Sequence, residues 1–204
     1  MQIRVSPDAL RNVANQQGEI INNIAEETTR MNELNKQLSE AWEGAAGAQA
    51  HNSLEEIRTG IKKTLADAGD STRKLITVAD AFESIDSGET IMPIGQFHTG
   101  HIPMPPMPTF MLSMPGLVRI DPDRVRDIGE QCMAVANVIA ENAEAFTNTL
   151  KALANDWEGR SYVRYSEEAN EIIQALTQIQ DSIAAFAKKI ITAANRYEEI
   201  DNAL

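Results

Sequence analysis

Five methionines and two histidines crowd one stretch of this chain: Met92, Met104, Met107, Met111 and Met114, with His98 and His101. Thioether and imidazole donors suit a soft metal, so Met104-Pro105-Pro106-Met107 and the two histidines are the residues that could hold copper(I). A competing reading is a plain connector. Six of the eight prolines fall between residues 87 and 117, and methionines scattered through such a stretch serve as adaptable apolar contacts. The connector reading is preferred, and no metal or cofactor is expected.

The remaining reactive side chains are sparse. Cys132 is the sole cysteine; it cannot close an intramolecular disulfide, and a nucleophilic thiol needs a neighbouring base that the sequence does not supply. It is expected to be a small buried residue. His51 is expected to be solvated. The carboxylates, among them Glu26, Glu141, Glu83 and Glu198, are expected on exposed faces or near helix ends, whereas acid–base catalysis needs two of them converging in a pocket. The Glu-x-x-His spacing of di-iron bundles, a Gly-rich phosphate loop and a nucleophile elbow are all missing from the sequence. An enzyme reading therefore has no residues to stand on.

The elements that position these side chains are helices. Hydrophobic residues make up 43% of the 204 residues and aromatics only 5%, a palette of long packed helices rather than sheets. A formal charge of −12 excludes nucleic acid and anionic membrane as partners, because binding phosphates needs clustered Lys and Arg. The first residues carry no apolar signal-peptide core, and no stretch reaches the roughly 20 apolar residues of a membrane span.

An internal repeat fixes the organisation. Shifting the chain by 115 residues superimposes Pro7-Asp8 on Pro122-Asp123, Arg11 on Arg126, Trp42-Glu43-Gly44 on Trp157-Glu158-Gly159, and Ile85-Asp86 on Ile200-Asp201 without a gap. The predicted division is a first hairpin over 1–86, a Met/Pro-rich linker over 87–117 and a second hairpin over 118–204. Ser6-Pro7-Asp8 and Asp121-Pro122-Asp123 are helix starts, with an N-cap oxygen, a proline at the first helical position and a carboxylate near the positive end of the helix. Apolar residues then step by three and four: Leu10, Val13, Ile20, Ile24, Met31, Leu34 and Leu38 in one copy, and Val125, Ile128, Cys132, Val135, Ile139, Phe146 and Leu153 in the other. Polar gaps interrupt this seam at Gln17, Asn142 and Thr149. It continues past each tryptophan, ending on Phe82 and Ile85 in copy one and on Tyr197 and Ile200 in copy two. Each copy reads as two long helices joined at the tryptophan, and two hairpins that bury their stripes on each other give an all-α four-helix bundle.

Hairpins of under 100 residues with Trp-x-Gly in the turn resemble the WXG family, the small ESAT-like substrates of type VII secretion systems. This chain resembles two members in tandem, and the resemblance covers both repeats. It implies an antiparallel four-helix bundle formed within one chain as a pseudo-dimer. It also implies an export signal, Tyr-x-x-x-Asp, beside the partner's Trp-x-Gly turn. Tyr197-Glu198-Glu199-Ile200-Asp201 matches that signal. Copy one has Phe82-Glu83-Ser84-Ile85-Asp86, a degenerate version with phenylalanine at the tyrosine position.

By this resemblance the protein is made in the cytoplasm and secreted without a cleavable signal peptide, acting through protein–protein interaction. Its implied partners are the type VII machinery, including the secretion ATPase, and a larger co-secreted effector. A cytosolic adaptor or targeting chaperone for such an effector is the alternative. A long connector favours the antiparallel arrangement: the 31 residues from Ser87 to Leu117 could reach about 100 Å, twice the roughly 50 Å length of a 35-residue helix. A closed monomeric pseudo-dimer is expected, with a domain-swapped dimer as the alternative.

Overall fold

A computed structural model describes residues 4–87 and 119–203, with the backbone alone for 85–87. The linker readings, including copper(I) at Met104, Met107, His98 and His101, lie outside the described residues. Four long helices dominate: α1 Pro7–Ala41, α2 Ala45–Ser87, α3 Pro122–Leu153 and α4 Arg160–Ala203. Two-residue strands β1 Trp42–Glu43 and β2 Arg119–Ile120 precede α2 and α3. The helix starts are capped as the sequence predicts. Ser6 Oγ accepts from the Ala9 amide at 3.3 Å and Asp121 Oδ1 from the Arg124 amide at 3.1 Å, each satisfying a first-turn donor that has no partner inside the helix.

The chain forms two compact units, and each takes one stretch from every helix. One unit holds α1 up to Ile24, α2 from Lys63, and Glu141–Leu176. In it Gln17 bonds Thr149 while Asn23 faces Asn142, so rising numbers on α1 meet falling numbers on α3 and the two helices run antiparallel. The other unit holds Ala25–Lys62, α3 up to Ala140 and α4 from Thr177. There Arg124 pairs with Glu40 at 3.4 Å, and β2 at the head of α3 pairs with β1 at the end of α1, again antiparallel. Each unit is thus an antiparallel four-helix bundle built from both hairpins.

The three-and-four stepping becomes the core. Leu10, Ile24, Met31, Leu34 and Leu38 on α1 and Val125, Ile128, Cys132, Val135 and Ile139 on α3 are all buried, each worth roughly 1.5–3 kcal/mol relative to an exposed side chain. One seam residue departs from expectation. Ile200 is 59% exposed, because Tyr197 lies level with Trp42, where α1 has ended, and the next turn of α4 extends past it.

The polar gaps find partners: Gln17 and Thr149 bond each other, and Asn142 accepts from Asn23. Gln17, fully buried, donates to Thr149 Oγ1 at 3.1 Å and to the Tyr165 hydroxyl at 2.5 Å, and accepts from Thr72 Oγ1 at 3.1 Å. Thr149 in turn donates to the Phe146 carbonyl at 2.7 Å. Nearby, Lys74 on α2 reaches both Glu168 oxygens on α4 at 3.2 and 3.3 Å. With partners this close, buried polar groups avoid the desolvation penalty that makes isolated ones costly.

Candidate functional site

Both Trp-x-Gly segments reverse the chain through a glycine at positive φ: 111° at Gly44 and 126° at Gly159. An L side chain adopts that backbone only with strain, which is why glycine occupies the third place in both turns. Each turn is closed by the segment that leads into the other hairpin. Trp42 pairs with Ile120 and Glu43 with Arg119, while the Asp121 amide donates to the Ala41 carbonyl at 2.9 Å. At the second turn Val5 bridges Trp157, the Ser6 amide donates to Asp156 O at 3.0 Å and the Glu158 amide to Arg4 O at 2.8 Å. Solvated ion pairs echo the pairing, Arg4 with Glu158 at 2.9 Å and Arg119 with Glu43 at 3.8 Å. The middle residue of each motif therefore points outward, and the tryptophan inward.

Around the two buried indoles the turns differ. Trp42 meets Tyr197 edge to face, with ring centroids 6.1 Å apart and planes at 79°, a favourable aromatic geometry. The tyrosine comes from the other hairpin. Trp157 instead has Tyr162 at 5.8 Å and Tyr165 at 5.6 Å, both from the helix that follows it. Under the 115-residue shift those tyrosines correspond to Gly47 and Ala50, so the first turn has small residues where the second has rings. The structure brings Trp42–Gly44 to Tyr197. It leaves Glu198, Glu199, Ile200 and Asp201 exposed on the last turns of α4. Phe82 is half-buried on α2; the side chain of Asp86 lies outside the described residues.

Arg126 on α3 holds the tyrosine segment. Its guanidinium bonds Asp123 at 2.6 Å, Asn195 at 3.1 Å and the Glu198 carboxylate, and the two carboxylates, Asp123 first, push its pKa further up. The corresponding Arg11 bonds Asp80 at 2.8 Å and Glu83. The repeat aligns these arginines, yet nothing in the sequence says that each braces the far end of its own hairpin.

Gly47 is a second residue that sequence reasoning did not single out. A Cβ there would stand 2.2 Å from the Trp42 carbonyl oxygen, whereas one on Gly18 would meet nothing within 4 Å. Gly47→Ala is therefore expected to destabilise the protein by roughly 1–3 kcal/mol through forced movement of the turn, and Gly18→Ala to stabilise it by about 0.5–1 kcal/mol through helix propensity. Denaturant melts of the two variants check the opposite signs.

Among the described residues the other candidate reactive groups form no metal-binding cluster. Cys132 is buried, and burial pushes its thiol up to about 12. Folded protein at neutral pH should resist iodoacetamide at this position and react once unfolded, an outcome that mass spectrometry reads directly. His51, expected in solvent, is half-buried on α2 with Nδ1 shielded and without a hydrogen-bond partner. Among the described residues no group of three or more His, Cys, Asp or Glu is placed to hold a metal ion, and no helix is long and apolar enough to cross a membrane.

The family model described as WXG100, proteins of 100 residues with WXG, matches residues 2–87 and again 117–202. No curated protein and no solved structure matches the chain. The family is associated with substrates of type VII secretion. Two matches at the spacing of the internal repeat, each placing its Trp-x-Gly at an interhelical turn with a positive-φ glycine, cover most of the sequence: the chain belongs to the WXG100 family and carries two of its units in one polypeptide.

Proposed function

We propose that the protein is a secreted, non-enzymatic type VII substrate that acts through protein–protein contacts, its export signal assembled from Trp42–Gly44 and Tyr197–Asp201. The observation that carries this reading is the edge-to-face contact of Trp42 with Tyr197, which joins a turn of the first hairpin to the one complete Tyr-x-x-x-Asp of the second. The adjoining turn of α4 displays Glu198, Glu199, Ile200 and Asp201 to solvent, a short helical face that the secretion ATPase could read. In this reading the repeats, 1–86 and 118–204, have divided their labour. Copy one supplies the turn, copy two the tyrosine segment, and Phe82–Asp86 is a degenerate relic of which the Phe82 ring supports packing.

The test is detection of the protein in culture supernatant from strains with and without the secretion ATPase. ATPase-dependent appearance supports the reading. Retention in cells, together with failure of a larger effector to be exported when this chain is deleted, would establish the cytosolic adaptor instead.

A further inference from the structure

The buried polar layer sits in one unit alone, and its composition changes under the repeat. Gln17, Thr72, Thr149 and Tyr165 contribute one residue from each helix, joined through the Gln17 amide. Shifting each by 115 residues gives Cys132, Ala187, Leu34 and Ala50, all buried in the other unit and none offering more than a weak thiol to a buried amide. The two hairpins therefore share one helical plan and are opposites at this level. Gln17 and Thr72 belong to the first hairpin, Thr149 and Tyr165 to the second.

From this asymmetry we propose that the four-residue layer is a pairing code, which makes each hairpin fit the unlike hairpin and reject a second copy of its own kind. Were two first hairpins to pair in the same antiparallel geometry, the Gln17 amide would face Leu34 and Ala50 and lose both acceptors. Were two second hairpins to pair, the Tyr165 hydroxyl and Thr149 would face Cys132 and Ala187 in place of Gln17 and Thr72. Losing a partner for a buried polar group costs far more than a hydrogen bond gains, and single buried polar residues specify helix pairing in the same way in coiled coils. The partly buried ion pair adds to the code on one side. Lys74 faces Glu168 here, but would face Ser53, the residue corresponding to Glu168, in a pair of first hairpins.

The code makes a prediction on full-length chains. One variant carries Gln17→Cys and Thr72→Ala, the other Thr149→Leu and Tyr165→Ala, so each takes half of its layer from the apolar counterpart. Alone, each variant is mismatched in any arrangement of unlike hairpins. Unfolded together and refolded, they can exchange hairpins to make one bundle with the full polar layer and one with the full apolar layer. The expected product is a one-to-one heterodimer of about twice the 22.4 kDa chain mass, enriched by about tenfold or more over either homodimer, since two mismatches are relieved at once. Native mass spectrometry of one isotope-labelled and one unlabelled variant reads the ratio. A statistical mixture of homodimers and heterodimers, or monomers alone from chains that remain helical, would overturn the code.

Should either variant fail to fold, a milder set decides: Gln17→Leu, Tyr165→Phe and both together, compared by midpoint of thermal unfolding. The code requires the double variant to be at least as stable as Gln17→Leu alone, because the second change removes the hydroxyl that the first leaves without its amide. Additive losses would show four residues that merely pack, and would end the proposal.

Discussion

Tyr197→Ala is expected to abolish export while the helices stay folded. The ring is half-buried against the edge of Trp42, so its loss should cost about 1–2 kcal/mol, a tolerable fraction of the roughly 5–15 kcal/mol that holds a domain of this kind together. Circular dichroism should therefore match the native protein while the supernatant is empty. Equal secretion of variant and native protein would sink the assignment. Tyr197→Phe separates ring from hydroxyl: if the phenol is what the machinery reads, the variant folds fully and stays in the cell, as expected from the Phe82 counterpart. Phe82→Ala supplies the contrast. A fully buried phenylalanine would cost about 3–5 kcal/mol on truncation, but Phe82 is only half-buried, so a smaller loss is expected, with secretion unchanged.

Trp42→Ala should impair export more than Trp157→Ala, although both remove buried indoles, at 2% and 0% exposure, and each should cost roughly 3–5 kcal/mol. Similar losses of stability are what make the comparison informative. At the second turn Tyr162 and Tyr165 lie against the indole; at the first, truncation removes the surface on which Tyr197 rests. Export measured at a growth temperature where both variants remain folded, with melts as the guide, isolates the difference. Equal defects at equal stability would mean that both turns serve packing alone.

How much of this was legible beforehand depends on sequence distance. Helix starts at Ser6 and Asp121, the three-and-four seam and the duplicated turns are local or periodic signals, and the structure realises them. Gln17, Asn142 and Thr149 were visible as gaps, but not as partners: the amide and the hydroxyls meet across 55, 132 and 148 residues of chain, and no local pattern encodes which gap answers which. The short strands were equally hidden. Val5 and Ile120 occupy the same place in the repeat, yet two residues of extended backbone give no alternation to detect. Ile200 shows the reverse error, since periodicity alone placed it on the seam and could not say that the neighbouring helix stops short of it.

The contact between Trp42 and Tyr197 spans 155 residues of sequence, the interval between those two positions. A ribosome delivers the turn early and the tyrosine late. Nascent chains and truncated products can form the first hairpin and still lack its β2 strand and α4, so only a polypeptide translated through the last turns of α4 and folded presents both halves together. If the export determinant is split across the two repeats as proposed, a secretion machine that reads the pair would pass over any product in which the second repeat is missing or unfolded.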